Sequence, residues 1–253
     1  MSTWPNKITI GTIASDMDAP GDYRLTTNVE GWGSPPRRLN QQEATGRDGV
    51  WVSGAFYGAR TIVHSGMVEQ ATSAAAQSLA DDLAALPAGA LTTYTVSHDT
   101  IGARYVAARV AVGADPQWID DRSFTYSITL VAPDPFKRPI VARTVTVGVG
   151  ATVSETSPGK VYSEIEVTLT SGGTVDLTIA GLRLRTASLP SGAVLTSGPG
   201  FARPKRTIRS STGGNLFGSI VQPMQWPAMV PGVNSIHQAG TAGLSIRYFP
   251  TYA

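Results

Sequence analysis

Residues 124–139 read FTYSITLVAPDPFKRP, and this stretch decides the predicted fold class. From Phe124 to Leu130 every second residue is apolar, with threonine or serine in between. A period of two predicts a β-strand with one buried face. The strand then meets Pro133 and Pro135, and proline lacks the N–H that a strand ladder needs and fixes its own φ. We therefore predict a strong strand that ends at a stiff joint near the middle of the chain, between two β domains.

The composition is that of a β-rich protein with few charges. Only 15% of the 253 residues are charged, against about 25% in an average soluble domain. Hydrophobic residues make up 42%, enough for substantial cores, and the formal net charge of +2 gives no argument for nucleic-acid binding. The absence of cysteine excludes disulfides and thiolate metal sites. A surface with few charges is readily covered by neighbouring molecules, which hints at assembly.

Glycine and proline separate short β-like segments along the chain, a pattern typical of sandwiches and barrels. In the first half, strands are predicted at residues 7–13, 23–29, 50–56, 60–67, 92–98 and 104–112. After the joint, a two-residue period continues in Val141, Val145, Val147 and Val149. The predicted domains are residues 1–138 and residues 139–253.

One α-helix is predicted inside the first domain, at about residues 72–86. Leucines recur at i, i+4 and i+7 from Leu79, and two aspartates fall on the opposite face. Thr72 is placed to cap the first turn, and Pro87 and Gly89 are placed to stop the last one. The first domain is therefore expected to be α+β, with the helix lying on an antiparallel sheet.

Residues 165–179 leave two arrangements open. Apolar side chains alternate in residues 165–169 and again in residues 175–179, on either side of Gly172-Gly173. A hairpin with a three-residue loop is favoured, because it pairs Leu169 with Val175 and keeps both apolar sets on one face. The alternative is that the two strands belong to different sheets.

The sequence carries no recognisable catalytic or metal-binding constellation. His64, His98 and His237 form no close pair, and no nucleophile-elbow motif is present. The pairs Asp81-Asp82 and Asp120-Asp121 are neighbours in sequence, so the two members of a pair do not face each other. We predict a protein that is not an enzyme and that has no cofactor or metal.

Four motifs follow one another along the chain. They are VEGW at residues 29–32 with Pro35-Pro36, GRDG at 46–49 followed by YGARTI at 57–62, APDP at 132–135, and Trp226 followed by VPGVNSI at 230–236. In this order and spacing they resemble the distal tail proteins (Dit) of siphovirus-type bacteriophages, which have long non-contractile tails. Such proteins are often labelled minor tail proteins in phages of actinobacteria. The resemblance covers nearly the whole chain.

The resemblance assigns a structural role, in turns and packing, to a set of motif residues. They are Gly31, Trp32, Gly49, Tyr57, Gly58, Arg60, Pro133, Asp134, Pro135, Trp226, Pro231, Gly232 and Asn234. Its glycines fall where tight turns or a close backbone approach are expected. Pro231-Gly232 fits the centre of a type II turn.

The resemblance also implies an architecture and a function. The first domain would be a β-sandwich or barrel-like tube domain whose copies, six or so, close into a ring. The second would be a galectin-like or carbohydrate-module-like β-sandwich outside that ring. The implied partners are the tail tube protein, the tape-measure protein and the tail-tip or baseplate proteins, with genome DNA passing through the channel. The implied location is the distal end of the tail in the virion, after synthesis in the host cytoplasm, without insertion into a membrane.

Two other classes of function compete with the structural one. The alternative is a carbohydrate- or host-receptor-binding module, in which Trp226 and Tyr248 are the candidate glycan contacts, because aromatic rings stack on sugars. In sandwiches such aromatics more often belong to the core. A cell-wall hydrolase has less support, since no acid–base pair is visible.

Overall fold

A computed structural model of the chain describes residues 7–11, 13–16, 23–43, 50–86, 90–97, 102–197, 206–221 and 226–253. Its Cα positions divide into two compact units, Met1–Lys137 with Ala253 (unit 1) and Arg138–Tyr252 (unit 2). Both units consist mainly of antiparallel strands, which confirms the mainly β prediction.

Unit 1 is built around one curved sheet and one helix. Its elements are β1 (Lys7–Ile10), β2 (Ile13–Asp16), β3 (Tyr23–Glu30), β4 (Arg37–Glu43), β5 (Val50–Tyr57), β6 (Arg60–Glu69), α1 (Ser73–Ala84), β7 (Leu91–Ser97), β8 (Arg104–Val112), β9 (Gln117–Trp118) and β10 (Ser123–Ala132). The main sheet has the order β2-β1-β7-β8-β10-β6-β3, and β9 pairs with β10. At the two ends of this order, β2 and β3 approach each other without forming a ladder in their described residues. The sheet therefore curls towards a barrel that stays open.

Two further features of unit 1 differ from a simple sheet. Strands β4 and β5 form a separate two-stranded sheet, in which Arg37 is paired with Tyr57. The segment predicted as one strand at residues 7–13 is a hairpin, because the chain turns at Gly11, which has φ +61°. Strand β4 was not predicted, since Arg37–Glu43 has no apolar alternation.

The strand predicted from residues 124–130 is β10, which lies inside the main sheet. β10 pairs with β6 from Ser123↔Glu69 to Ala132↔Arg60, and it also pairs with β8. Its alternate residues from Phe124 to Leu130 are buried in one core with α1. The period of two therefore reports a buried sheet face, as predicted.

The predicted helix is confirmed. α1 begins after Thr72, whose side chain accepts a hydrogen bond from the Ala75 N–H at 3.2 Å. Leu79 and Leu83 are buried on the sheet, and the two aspartates are exposed. Pro87 and Gly89, which were predicted to stop the helix, lie outside the described residues. In the described part of the chain, no helix has the length and apolar character needed to cross a bilayer.

Unit 2 is a sandwich of two five-stranded antiparallel sheets. The short strand β11 (Arg138–Pro139) precedes the sandwich and belongs to neither of its sheets. The sandwich strands are β12 (Arg143–Val147), β13 (Thr152–Ser157), β14 (Ile165–Leu169), β15 (Gly173–Ile179), β16 (Leu182–Leu189), β17 (Val194–Thr196), β18 (Thr207–Arg209), β19 (Ile220–Val221), β20 (Gly232–Gln238) and β21 (Leu244–Tyr248). One sheet has the order β12-β21-β14-β17-β18, and the other has the order β13-β20-β15-β16-β19. A 3-10 helix at Phe217–Ser219 precedes β19. The inward side chains of both sheets form a single core.

The favoured hairpin at residues 165–179 is wrong, and its alternative is correct. β14 pairs with β17 and β21, whereas β15 pairs with β16 and β20, so the two strands lie in different sheets. Both strands still bury the predicted residues. Alternate residues face the core both in a hairpin and in a chain that crosses between two packed sheets. The pattern of buried residues therefore could not distinguish the two arrangements.

Only two of the four valines that alternate after the joint lie in a strand. Val145 and Val147 lie in β12 and are buried, whereas Val141 and Val149 are 77% and 59% exposed. The outer two valines lie beyond the ends of β12, where the pleat no longer directs them to the core.

Candidate functional site

Residues from three of the four motifs meet around Arg60 in unit 1. Arg60 begins β6 and has no exposed surface. Its Nε donates to the Pro135 carbonyl at 2.8 Å, and its Nη1 donates to the carbonyls of Gly31 and Gly33, each at 2.7 Å. Hydrogen bonds from a charged donor are stronger than neutral ones. Arg60 therefore ties the segment after β3 to the segment after β10.

A second cation, Lys137, completes this arrangement, which we call the Arg60 node. The Lys137 Nζ donates to the carbonyls of Trp32 at 3.0 Å and Gly33 at 3.3 Å. The node comprises Arg60, Lys137 and the carbonyls of Gly31, Trp32, Gly33 and Pro135. Lys137 was not among the predicted site residues, although it lies two residues after the end of the APDP motif and is 8% exposed.

The electrostatics of the node explain why carbonyl dipoles crowd around it. Burial lowers the pKa of Arg60, and burial followed by the charges of Arg60 and Arg104 lowers the pKa of Lys137 to about 8. The Trp32 ring lies 5.9 Å from the Arg60 Cζ and 5.4 Å from the Lys137 Nζ. The negative face of an aromatic ring attracts cations. The node holds its cations with dipoles and a ring, which suits positioning rather than turnover.

Gly31 lets the chain pass close to β6 at the node. Its φ is +77°, and a Cβ at this position would lie 1.8 Å from the Thr61 carbonyl oxygen. A side chain is excluded by both the conformation and the space. The glycine of the VEGW motif is therefore fixed by backbone geometry.

The other motif residues of unit 1 surround the node. The Gly58 N–H donates to the Pro36 carbonyl at 2.8 Å, and the Tyr57 ring meets the Phe136 ring edge-on at 5.2 Å. Asp134 Oδ1 accepts from the Phe136 N–H at 3.2 Å, which closes an Asx turn. Pro135 is buried and Pro133 is exposed. Gly49 and the rest of the GRDG motif lie outside the described residues.

Next to the node lies a buried polar cluster that the sequence did not reveal. His64, 1% exposed, is 3.1 Å from the Tyr94 hydroxyl through Nδ1 and 3.0 Å from the Tyr126 hydroxyl through Nε2. Burial lowers the pKa of His64 to about 4. The Tyr94 ring also meets the Trp32 ring edge-on at 5.6 Å. The only sequence signal was that His64 occupies an even-numbered position of β6, as the other buried residues of this strand do.

In unit 2, the fourth motif forms a pinned turn. Gly232 has φ +89°, as the third residue of a type II turn requires. Asn234, 1% exposed, accepts from the Val230 N–H at 2.8 Å and donates to the carbonyls of Val230 and Gly232, each at 2.9 Å. Pro231 itself is exposed. The asparagine thus uses both ends of its amide to hold the chain as it enters β20.

The two candidate glycan contacts are buried. Trp226 is 8% exposed and stacks on Phe217 with a centroid distance of 6.4 Å. Tyr248 is 0% exposed, and its hydroxyl donates to Glu155 Oε1 at 2.6 Å. Burial and then this hydrogen bond raise the pKa of Tyr248 to about 12. Neither ring presents a face on which a sugar could stack, so the geometry gives the glycan interpretation no support.

The histidines and carboxylates of the described residues form no metal site. No group of three or more histidine, aspartate or glutamate side chains in the described ranges is arranged to hold a metal ion. His64 is enclosed by its two tyrosines, and His237 lies on β20, where its Nδ1 is 2.9 Å from the Thr152 hydroxyl. Both histidines therefore take part in hydrogen bonds, of which only those of His64 are buried.

The whole chain aligns with a solved structure of a phage protein. That structure is the SPP1 Dit protein, described as a paradigm of the hub adsorption apparatus in phages infecting Gram-positive bacteria. The alignment covers 98% of this chain and 99% of that one, with a TM-score of 0.72 and 14% sequence identity. This chain has a Dit-like fold. At this identity, the likeness establishes the fold alone.

Baseplate structures align less closely. Chains of the phage P2 baseplate in its activated conformation, with Ca and with Sr, cover 95% of this chain with TM-scores of 0.48 and identities of 10% and 11%. The alignment covers 97% of each of those chains. No protein-family model and no curated protein matches this chain.

Proposed function

We propose that this chain is a structural protein of a bacteriophage tail, without enzymatic activity. The observation that carries the proposal is the Dit-like fold over the full length of both chains, since the matched protein is described as a hub of the adsorption apparatus. In this proposal the chain forms the hub at the distal end of a siphovirus-type tail, in a phage of an actinobacterial host. Its copies, six or so, close into a ring that joins the tail tube to the tail-tip or baseplate proteins.

Features of unit 1 support an assembled state. The end strands β2 and β3 of the main sheet have no ladder partner on their outer sides in the described residues. A sheet that no ladder closes can be extended by a strand of another chain. The two-stranded sheet β4–β5 stands apart from the main sheet, and a two-stranded sheet is marginal in water unless something packs on it.

The proposed partners follow from the same position in the tail. They are further copies of the chain, the tail tube protein, the tape-measure protein and the tail-tip proteins. Genome DNA would pass through the channel without sequence-specific contact. A head-to-tail contact that closes on itself gives a ring around such a channel.

Native mass spectrometry and electron microscopy of the purified full chain test the proposal. We expect one closed oligomer with a central opening. A stable monomer at micromolar concentration would contradict the hub. Turnover of peptidoglycan by the wild-type chain would contradict the non-enzymatic role.

A further inference from the structure

Unit 1 exposes an apolar and acidic surface at one end of β6. Trp118 and Ile119 are 44% and 59% exposed, although both are large hydrophobic residues. Beside them lies an open groove of about 500 Å³, lined by Ser73, Ala74 and Gln77 of α1 and by Trp118, Asp120 and Asp121. Exposed apolar surface next to charge is typical of protein interfaces.

The carboxylates of this surface are charged and only weakly paired. Asp120 accepts from the Arg122 N–H at 2.8 Å, and this bond, followed by one from the Ser123 side chain, lowers its pKa. Asp121 lies 3.8 Å from the Arg122 Nε, and both side chains are more than half exposed, a kind of pair that contributes little. We call Trp118, Ile119, Asp120 and Asp121 the acidic patch.

A basic surface lies at the base of the β4–β5 sheet. Arg37 and Arg38 are exposed, and the Arg37 Cζ lies 5.7 Å from the centre of the Tyr57 ring. Tyr57 is itself 37% exposed. Glu30 is an exposed carboxylate at this end, and it accepts a hydrogen bond from Asn28. We call Arg37, Arg38 and Tyr57 the basic patch.

The two patches lie at opposite ends of β6. The basic patch precedes Arg60, where β6 begins, since Tyr57 is separated from it by two residues. The acidic patch lies near Glu69, where β6 ends, because the Gln70 N–H donates to the Arg122 carbonyl. A strand of this length spans about 30 Å at about 3.3 Å per residue. One copy therefore cannot bring its own patches together, but a neighbouring copy can supply the opposite one.

We propose that the basic patch of one copy docks on the acidic patch of the next copy. This inference rests on the proposed function, because it names the surfaces through which the ring would form. Guanidinium groups pair with carboxylates and stack on tryptophan, so Arg37 and Arg38 match Asp120, Asp121 and Trp118 in chemistry. A contact between two different surfaces is heterologous, and repetition of a heterologous contact around an axis closes a ring.

Thiol cross-linking of the full chain tests the contact directly. The chain has no cysteine, so the variant carrying both Arg38→Cys and Asp121→Cys has only the two introduced thiols. A bismaleimide much shorter than about 30 Å cannot join them within one copy, given the strand length. We expect a ladder of covalent oligomers that ends at the size of the ring. Each single-cysteine variant should give no product larger than a dimer.

Charge exchange provides the second test. We expect Arg38→Asp and Asp121→Arg, each alone, to raise the concentration needed for assembly at least tenfold, and the double variant to recover most of that loss. Arg109→Asp is the matched control, because Arg109 is exposed near the middle of the main sheet and the charge change equals that of Arg38→Asp. The control should assemble like the wild type, and circular dichroism should show all variants folded.

The outcomes separate this inference from the function on which it rests. If wild-type rings form but the double-cysteine chain gives no ladder and the single charge reversals assemble normally, the docking of the two patches is overturned and the hub remains. If the wild type stays monomeric, both are overturned. A ladder of open filaments without rings would support the docking contact and contradict the closed hub.

Discussion

Arg60 and Gly31 act as one unit at the scale of single residues. The guanidinium needs carbonyl acceptors because it is fully buried, and the Gly31 carbonyl is within reach because the chain comes close to β6 there. The three carbonyls that Arg60 contacts come from two segments distant in sequence. A lysine cannot reproduce this fork of donors.

Replacement of Gly31 tests how tightly this approach is constrained. Gly31→Ala is expected to lower the free energy of unfolding by about 2–4 kcal/mol, because it combines a strained φ with a backbone clash. Urea denaturation measures the loss. Gly33→Ala is the control, since a Cβ there would have no atom within 4 Å. Equal losses for the two variants would contradict the proposed close approach.

His64 gives unit 1 a predictable response to acid. Its folded pKa of about 4 lies below the ordinary 6.5, so the unfolded state binds more protons between these values. The stability that neutral His64 contributes is therefore complete above pH 6.5 and is lost as the pH falls towards 4. The difference of pKa corresponds to roughly 3 kcal/mol.

Removal of the imidazole should flatten this response. We expect His64→Gln to be less stable than the wild type at neutral pH but to lose less stability on acidification, by thermal or urea denaturation. Ser65→Ala, on the opposite face of β6, should keep the wild-type slope. An acid slope in His64→Gln as steep as that of the wild type would exclude His64 as its source.

At the scale of elements, short connections are held by single polar side chains. Thr72 caps α1, Asp134 closes the turn after β10, and Asn234 holds the turn before β20. Each satisfies backbone groups that the neighbouring helix or strand leaves unpaired. The direction in which the chain enters β20 therefore depends on one amide.

Loss of that amide has a definite expected cost. Asn234→Ala should lower the free energy of unfolding by about 2 kcal/mol, because it removes three hydrogen bonds to a part-buried turn. Ser235→Ala, at the next and exposed position, should change it by less than about 0.5 kcal/mol. Denaturation followed by fluorescence measures both. If the two variants are equally stable, the turn does not depend on Asn234.

At the scale of the whole molecule, unit 1 is electrically asymmetric along β6. Two exposed arginines, Arg37 and Arg38, outnumber Glu30 at one end, and two exposed aspartates, Asp120 and Asp121, outnumber Arg122 at the other, with about 30 Å of strand between the ends. Such a distribution favours contacts between unlike ends and disfavours contacts between like ends.

The assembly should therefore weaken with salt. Raising the ionic strength from about 0.05 M to about 0.5 M shortens the screening length to a few ångström and should lower the oligomer fraction at fixed protein concentration. Analytical ultracentrifugation measures this fraction. An oligomer that strengthens with salt would indicate that apolar contact dominates the interface, against the docking of charged patches.

The sequence by itself determined the mainly β class, the helix with its threonine cap, and the buried face of β10. These features depend on side-chain periodicity and local capping, which short segments carry in full. Most strand bounds of unit 1 followed from the same signal, whereas polar β4 had no such signal.

Only the tertiary structure decided which strands are partners and which motif residues meet. The chain crosses from one sheet to the other at residues 165–179, and this crossing shows the same alternation of buried residues as a hairpin. Only the pairing of β14 with β17 and β21, which are distant in sequence, shows that β14 and β15 are not partners. In the Arg60 node, the guanidinium binds the carbonyls of Gly31 and Pro135. Every residue has a backbone carbonyl, so the sequence does not show which carbonyls a side chain will contact. Burial of Tyr248 was likewise decided by the packing of two sheets. The sequence pattern around an aromatic residue in a strand is the same whether or not a second sheet covers that residue.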